Sequence, residues 1–555
     1  MSQPDHPTVS CVSAPANGWW YGGQWIPDND AQVMSEALHR LSEPVHQVQT
    51  PEGGVGIATN GVALLGSVNQ PDADALPLLA TVQALTPSQL GDPLFRADHG
   101  VKFNYVAGEM ANGIGSADIV EAMGHNGMLG FFGSAGLSLE RVRVAIERIQ
   151  KSLGDLPYGF NLIHSPSEPK LEAAVVEMYL AYKIRLVSAA AFLGMTLPLV
   201  RYRVAGLARE ASGRIAILNK LIAKVSRVEV ARKFLSPPPP EMVQELLRHG
   251  LITPEQAALA QHVPMCDDLT AEADSGGHTD NRPALALLPT MLALRDEMQA
   301  LYKYPMRLRI GLGGGLATPS AAAAAFAMGA AYILTGSINQ ACAESGTSQI
   351  VREMLCQAGQ ADVTMAPAAD MFEMGVKVQV LKWGTMFPVR AQKLYSLYRE
   401  YEGLHALPAP ARAQLERDFL RMSVEDAWNQ TREFFQQRDP AQIERAEKDP
   451  KHKMALVFRS YLGQTSKWAI QGIADRKQDF QVWCGPAMGA FNEWVKGSWL
   501  EPVENRSVLP VAQNLMIGAC VLTRASYLRA QGVDILPEAA RFSPLRPPSL
   551  AELMS

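Results

Sequence analysis

From about residue 100 the chain alternates short runs of apolar and β-branched residues with stretches of helical period. The runs are Phe103–Ala107, Met128–Phe132, Gly159–Ile163, Ile184–Ala189, Leu221–Val225, Leu269–Glu272, Leu308–Leu312 and Tyr332–Thr335. Between them, apolar positions recur at helical spacing, as in Leu139–Leu153, Pro169–Tyr182, Ala284–Tyr302 and Pro319–Ala331. Short apolar runs bounded by turn residues read as buried strands, and i, i+3, i+4 recurrence reads as helix. Alternating strands and helices imply a parallel sheet with right-handed crossovers, and eight such units predict an α/β fold closed into a (βα)8 TIM barrel. Residues 236–264 break the rhythm with four prolines (237–240) and a helix-turn-helix pattern, which predicts an insertion on a barrel loop.

The flanks differ from this middle. Residues 1–95 combine Trp19, Trp20, Tyr21 and Trp25 with β-like runs at Gly54–Thr59 and Val62–Val68, each bounded by turn formers. They predict a small β-containing N-terminal domain. After about residue 375 the β pattern fades, and 390–470 is helical and charge-dense, as in Gln436–Lys453. An aromatic, Gly-rich stretch around Trp483–Trp499 leads into a helix from about Ser507 to Ala530 and a Pro-rich tail expected to be weakly ordered. The expected domains are therefore 1–95, a barrel at 96–375 and a mostly helical extension at 376–555.

Composition narrows the function classes. The 555 residues are 47% hydrophobic and 19% charged, a globular balance, and the net charge of −5 gives no pull toward nucleic acid. The N-terminal decapeptide lacks the pattern of a signal peptide. The run Leu186–Val200, interrupted by Ser188, Thr196 and Pro198, is shorter than the roughly 20 residues a membrane span needs. Cysteines at 11, 266, 342, 356, 484 and 520 form no metal or CxxC spacing. A cytoplasmic protein without disulfides, metal or membrane insertion is expected.

The chemistry gathers at strand ends. Gly313, Gly314 and Gly315 follow the seventh run and precede a helix opening at Thr318-Pro319; Gly336 and Ser337 end the eighth. The first cluster fails the dinucleotide fingerprint, because Leu316 stands where its third glycine belongs. Two glycine-rich ends late in a barrel match its phosphate site, where backbone N–H groups hold a phosphate; the alternative is two ordinary tight turns. Just past the sixth run, Gly276-Gly277-His278 offers close backbone approach and an imidazole that can donate a proton near neutral pH. A structural histidine is the alternative. Gly108 and Met110 after the first run suit a planar apolar group, Asn161 on the third offers a donor and an acceptor, and Lys224 on the fifth can balance charge on a reduced ring or a phosphate. A capping Asn and a snorkelling Lys are the plain alternatives. Together these positions outline a pocket for flavin mononucleotide, FMN.

The same residues carry a resemblance. The run from Val106 to Ala122 (VAGEMANGIGSADIVEA), Gly127–Gly133 (GMLGFFG), Asp274–His278 (DSGGH) and the Gly313 and Gly336 clusters resemble the superfamily of nitronate monooxygenases and FMN-dependent enoyl reductases over about residues 100–345. Over nearly the whole chain the sequence resembles the PfaD family, the stand-alone enoyl reductase subunits of bacterial polyunsaturated fatty acid synthases, with relatives in polyketide synthases. Asp362–Val380, Lys382–Phe387, Ser460–Gln464, Trp483–Asn492 and Asn514–Met516 carry this narrower likeness. The resemblance implies reduction of the 2,3-double bond of an enoyl thioester on an acyl carrier protein, with FMN and NADPH as cofactors. It places Gly108, Met110, Asn161, Lys224 and Gly277 at the flavin ring, Gly314, Gly315, Gly336 and Ser337 at its phosphate, Gly276 and Gly313 among the other cofactor-binding residues, and His278 beside the reacting thioester.

One feature bears on a partner independently. From Lys377 to Arg399 there are five basic residues, including Lys377, Lys382, Arg390 and Lys393, and no acidic one, interleaved with Trp383, Phe387 and Tyr395. Acidic carrier proteins would dock on such a face; the alternative is a basic helix paired within the fold. Two other functions remain in view, a nitroalkane-oxidising nitronate monooxygenase and a non-catalytic assembly subunit of the synthase. The oligomeric state is open, a homodimer included.

Overall fold

The computed structural model describes residues 17–28, 30–66, 69, 73–165 and 169–554. The first ten residues, Cys11 and the last two residues of the run Val62–Val68 lie outside the described residues. The chain forms two compact units, one of residues up to 90 together with 513 onward, the other of residues 91–512.

In the second unit eight parallel strands close into a barrel in chain order. They are Tyr105–Ala107, Leu129–Phe132, Gly159–Ile163, Leu186–Ala190, Lys220–Val225, Asp268–Glu272, Arg309–Gly313 and Ile333–Thr335, the last pairing with the first. Every one overlaps an expected run. Most strand positions are buried, as expected for parallel strands enclosed between a packed interior and an outer helical ring. Local chemistry sets the helix starts: Ser116, Ser138 and Thr318 each accept a backbone N–H of the first turn, and Pro319 occupies the first helical position. The expected insertion is present as helices Pro240–Arg248 and Pro254–Ala260, the second opened by a Thr253–Gln256 capping box.

The end of the barrel where its strands begin is held by charge. Asp268 starts the sixth strand fully buried, 2.5 Å from Arg309 Nε and 2.7 Å from His99 Nε2. Burial alone would raise its carboxyl, but Arg309 and His99 outweigh burial and hold it well below the usual carboxylate range. A depressed carboxyl contributes stability at pH values above its unfolded pKa and loses it as pH falls through the folded one. Asp268→Asn should therefore lower unfolding stability at pH 7 by about 3 kcal/mol, by leaving the buried Arg309 with only the half-exposed Asp98 as its counter-charge. Denaturant titration at pH 7 and at pH 3 checks this, since the gap between wild type and variant should narrow in acid.

In the first unit a six-stranded antiparallel sheet packs Trp20, Val48, Ala58 and Leu78 together. The helix Val508–Ala530 is long and apolar enough to cross a membrane by length and composition, yet 72% of its most apolar window is buried within the protein. Its Arg524 is wholly buried and donates to the carbonyl oxygens of Leu38, Arg40 and Glu43 at 2.6–2.9 Å, as in a packed core helix. The tail expected to be weakly ordered ends in the helix Pro547–Met554, which buries Leu550.

Two hairpins escape the sequence pattern. Leu207–Arg209 pairs with Ile215–Ile217, and Val363–Pro367 pairs with Lys377–Leu381. The second lies where the β pattern fades and straddles the expected barrel boundary at 375. Gly277–His278 adds to it as a third antiparallel strand, through Gly277 opposite Gln379 and His278 opposite Val378.

Candidate active site

The strand ends open into one cavity of about 770 Å³. Met110, Asn161, Lys224, Gly276, Gly277, His278, Gly313, Gly314, Gly315, Gly336 and Ser337 all line it. Gly108 does not. A Cβ there would lie 2.5 Å from the Leu334 side chain, so Gly108 lets the first strand end pack on the eighth, and its neighbour Glu109 faces the cavity instead.

The glycines differ in what they allow. Gly314 has φ +84°, and a Cβ would meet Ala273 O at 2.6 Å, so it is required by the protein's own backbone. At Gly315 and Gly336 a Cβ would meet no atom within 4 Å, which leaves open space over both turns. Gly336 leads into the short helix Ser337–Gln340, whose first N–H groups have no partner within the helix. These open turns and free donors fit a phosphate.

Asn161 is almost completely buried on the third strand, its Nδ2 donating to Ser188 O at 3.3 Å. Its carbonyl accepts from Ser134 Oγ at 2.5 Å and Tyr179 OH at 2.7 Å, which pins the strand end under the cavity floor. Lys224 differs from the lone cation expected to balance a ligand's charge. Its Nζ lies 3.1 Å from Glu109 Oε1 and 3.3 Å from Glu272 Oε1. Burial would lower the ammonium, but the two carboxylates outweigh burial and hold it above its ordinary value. Two carboxyl groups thus flank one ammonium at the cavity wall, and a Lys ammonium has three donors to divide between them and a ligand.

His278 keeps 31% of its side chain accessible, and its Nε2–H donates to Asp370 Oδ2 at 3.0 Å. Burial lowers the imidazole, but Asp370, with Glu272 in support, raises it above its ordinary value against an opposing push from Lys224. Asp370 moves the other way: burial raises it, but the His278 bond brings it below the usual carboxylate range. The loop is clamped at its base, where Gln379 Nε2 donates to Asp274 Oδ1 and Ser275 O, each at 2.7 Å. Gly276 stands against the Cys484 backbone, where a Cβ would sit 2.8 Å from Cys484 N. Glu109, Glu272, Asp370, Trp483 and a second imidazole, His164, complete the wall unanticipated. His164 Nδ1 lies 3.3 Å from Glu172 Oε2. Both Glu109 and Asp370 lie within runs that carry the resemblance, the one local signal available for them.

Val378 of the basic segment lines the cavity, while its five basic residues lie apart from the wall. Lys377, Lys382, Lys393 and Arg399 are exposed, and Trp383, Met386 and Val389 beside them are 39–62% exposed. Arg390 is different, because it pairs with the fully buried Asp479, which also accepts from Tyr461 OH at 2.5 Å. That arginine belongs to the fold's interior.

Comparison with known proteins follows this geometry. Residues 94–391 match the nitronate monooxygenase family, and 401–480 match the inserted helical domain of acyl-carrier-protein S-malonyltransferase. The chain is 47% identical over 469 residues to part of the polyunsaturated fatty acid synthase of Thraustochytrium sp., across 83% of this chain and 31% of that one. It is 47% identical over 443 residues to polyketide biosynthesis protein PksE of Bacillus subtilis, across 80% of this chain and 57% of that one. It therefore spans only part of either relative. The crystal structure of the enoyl reductase domain of MlnA, from the macrolactin biosynthesis cluster of Bacillus amyloliquefaciens, shares 41% identity with a TM-score of 0.75, across 80% of this chain and 99% of that domain.

Proposed function

The chain belongs to the nitronate monooxygenase family, in the group that holds the enoyl reductase domains of polyunsaturated fatty acid and polyketide synthases, and on that premise we propose that it reduces enoyl thioesters carried on an acyl carrier protein. The observation that carries this reading is the convergence of open phosphate-sized turns, a buried Lys224 triad and His278 on one cavity. When bound, FMN supplies the hydride for the β-carbon and is recharged by NADPH. The open turns at Gly315 and Gly336, with the N–H groups of Ser337 and Ile338, would hold its phosphate. Met110, Asn161 and Lys224 would border its ring. His278 stands beside the thioester and delivers the proton that the α-carbon gains. Trp483 and the Gly276–Gly277 backbone narrow the space there. The protein acts in the cytoplasm.

The test is an anaerobic titration followed by flavin absorbance. NADPH should bleach the FMN-loaded protein, and an enoyl thioester on carrier protein should restore the band. A nitronate monooxygenase, the activity that names the matched family, would instead turn over a nitroalkane with oxygen and leave the enoyl thioester untouched. A protein that takes up no flavin would be an assembly subunit.

For the carrier protein, the exposed lysines beside Trp383, Met386 and Val389 form an acid-seeking face with apolar anchors. Lys382→Glu with Lys393→Glu should raise KM for the carrier-bound substrate several-fold and leave KM for a free enoyl thioester unchanged. Arg390→Glu is no test of docking, because it would set a second carboxylate against the buried Asp479 and leave Arg476 as its counter-charge.

A further inference from the structure

We infer that the proton donor of this site is set from outside the barrel: Asp370, on the loop of the hairpin Val363–Leu381, and Arg459, on the long helix Pro450–Gln471, are positioning residues for His278. The inference rests on the role proposed for His278.

His278 lines the cavity and donates its Nε2–H to Asp370 Oδ2 at 3.0 Å, which leaves Nδ1 as the ring nitrogen not tied to that carboxylate. The imidazole is therefore presented in one orientation, with Nδ1–H as the donor when the ring is protonated. Asp370 in turn sits on a loop with a built anchor. Phe372 is fully buried against Tyr395, Tyr398 and Phe458, and Arg459 grips the loop on both sides of Asp370. Its Nε donates to Ala369 O at 3.0 Å, and its Nη1 lies 3.2 Å from Glu373 Oε1. The backbone completes the support, because His278 and Val378 are paired neighbours in the small three-stranded sheet.

The arrangement has a chemical reason. The hydride that forms the new bond at the β-carbon would come from a bound reduced flavin, and the electrons of the double bond would then move toward the α-carbon and the thioester carbonyl. The α-carbon then forms a bond to hydrogen as the His278 Nδ1–H bond breaks, and the ring is left neutral and hydrogen-bonded to Asp370. A carboxylate on the far nitrogen favours the protonated ring beforehand, aided by Glu272 and opposed by Lys224. The barrel's own loop supplies the imidazole, but its orientation and charge state come from a segment roughly ninety residues further along the chain.

Asp370→Asn separates charge from geometry, because the amide oxygen can still accept the Nε2–H. Two rates in the FMN-loaded protein, flavin reduction by NADPH and enoyl reduction, together with the pH dependence of the second, decide the matter. In Asp370→Asn the fall of kcat at alkaline pH should begin at lower pH than in wild type, and kcat at pH 8 should drop about 10- to 100-fold, with flavin reduction unchanged. Arg459→Met, which frees the loop without touching either partner, should shift the profile in the same direction, and Arg459→Lys should restore part of it. Asp370→Asn combined with His278→Ala should be no slower than His278→Ala alone. An unmoved alkaline limb in Asp370→Asn, with His278→Ala nearly inactive, overturns this inference and leaves the function of His278 standing. Full enoyl reduction in His278→Ala overturns both.

Discussion

His278→Ala should bind FMN and accept electrons from NADPH like the wild type, yet reduce the enoyl thioester about 10²–10⁴-fold more slowly, the usual worth of a positioned general acid. The split follows from where the residue stands. His278 shares the cavity with the open phosphate turns but lies on a separate loop, tied to Asp370 and the hairpin. Its removal deletes a proton source and leaves the turns at Gly315 and Gly336 intact. The raised imidazole adds a pH signature, since the protonated form is the active one and kcat in the wild type should fall as pH rises through that elevated value. Stopped-flow measurement of the two half-reactions checks both statements. Loss of FMN from His278→Ala would make the residue part of the cofactor's packing. An unaffected enoyl step, lost instead in His164→Ala, would move the proton donor to the third strand end, where His164 lies beside Glu172.

Gly336→Asp should abolish tight FMN binding, far beyond the effect of Gly336→Ala, which carries the same backbone cost without the charge. At this position a Cβ meets nothing within 4 Å, so a side chain has room, while φ −132° with ψ −77° lies outside the regions that residues with a Cβ favour. A carboxylate there would face the phosphate at close range, and two unit charges 4 Å apart near a protein surface repel by about 4 kcal/mol. A loss of at least about a hundredfold in FMN affinity is expected, read by flavin fluorescence on titration, with thermal unfolding of the FMN-free protein as the control. Gly336→Ala should give a milder loss in the same direction. Gly314→Ala should behave differently and destabilise the protein with or without FMN, because φ is +84° and the backbone of the Ala273–Asp274 loop lies in the way. If Gly336→Asp binds FMN normally, the strand end is an ordinary turn and the phosphate lies elsewhere.

The barrel was readable because its signals are local. A buried parallel strand is a short apolar run, its helix has a 3.6-residue period, and both are written within a dozen residues. All eight strands and the 284–302 helix were therefore legible, and so were the glycines that must follow strands seven and eight. His278, too, stood out by sitting after a strand beside two glycines. The hairpin Val363–Leu381 was not legible as a structural element. Its two strands are separated by a nine-residue loop, and its third partner is a two-residue strand from another part of the chain. Gly108 shows a similar limit, since a glycine kept for packing on Leu334 and a glycine kept for a ligand look the same in one dimension.

The sequence by itself determined the α/β barrel, the order of its strands and which ends carry glycine, imidazole and ammonium, because each depends on residues close together in the chain. Only the tertiary structure decided what those groups face. It surrounded Lys224 with Glu109 and Glu272, gave His278 its carboxylate from Asp370, and took Arg390 out of the basic face to meet Asp479. These pairings join residues tens to more than a hundred positions apart, and no period or motif connects such positions. Charge state and orientation, on which the chemistry depends, are set by the neighbours that folding supplies.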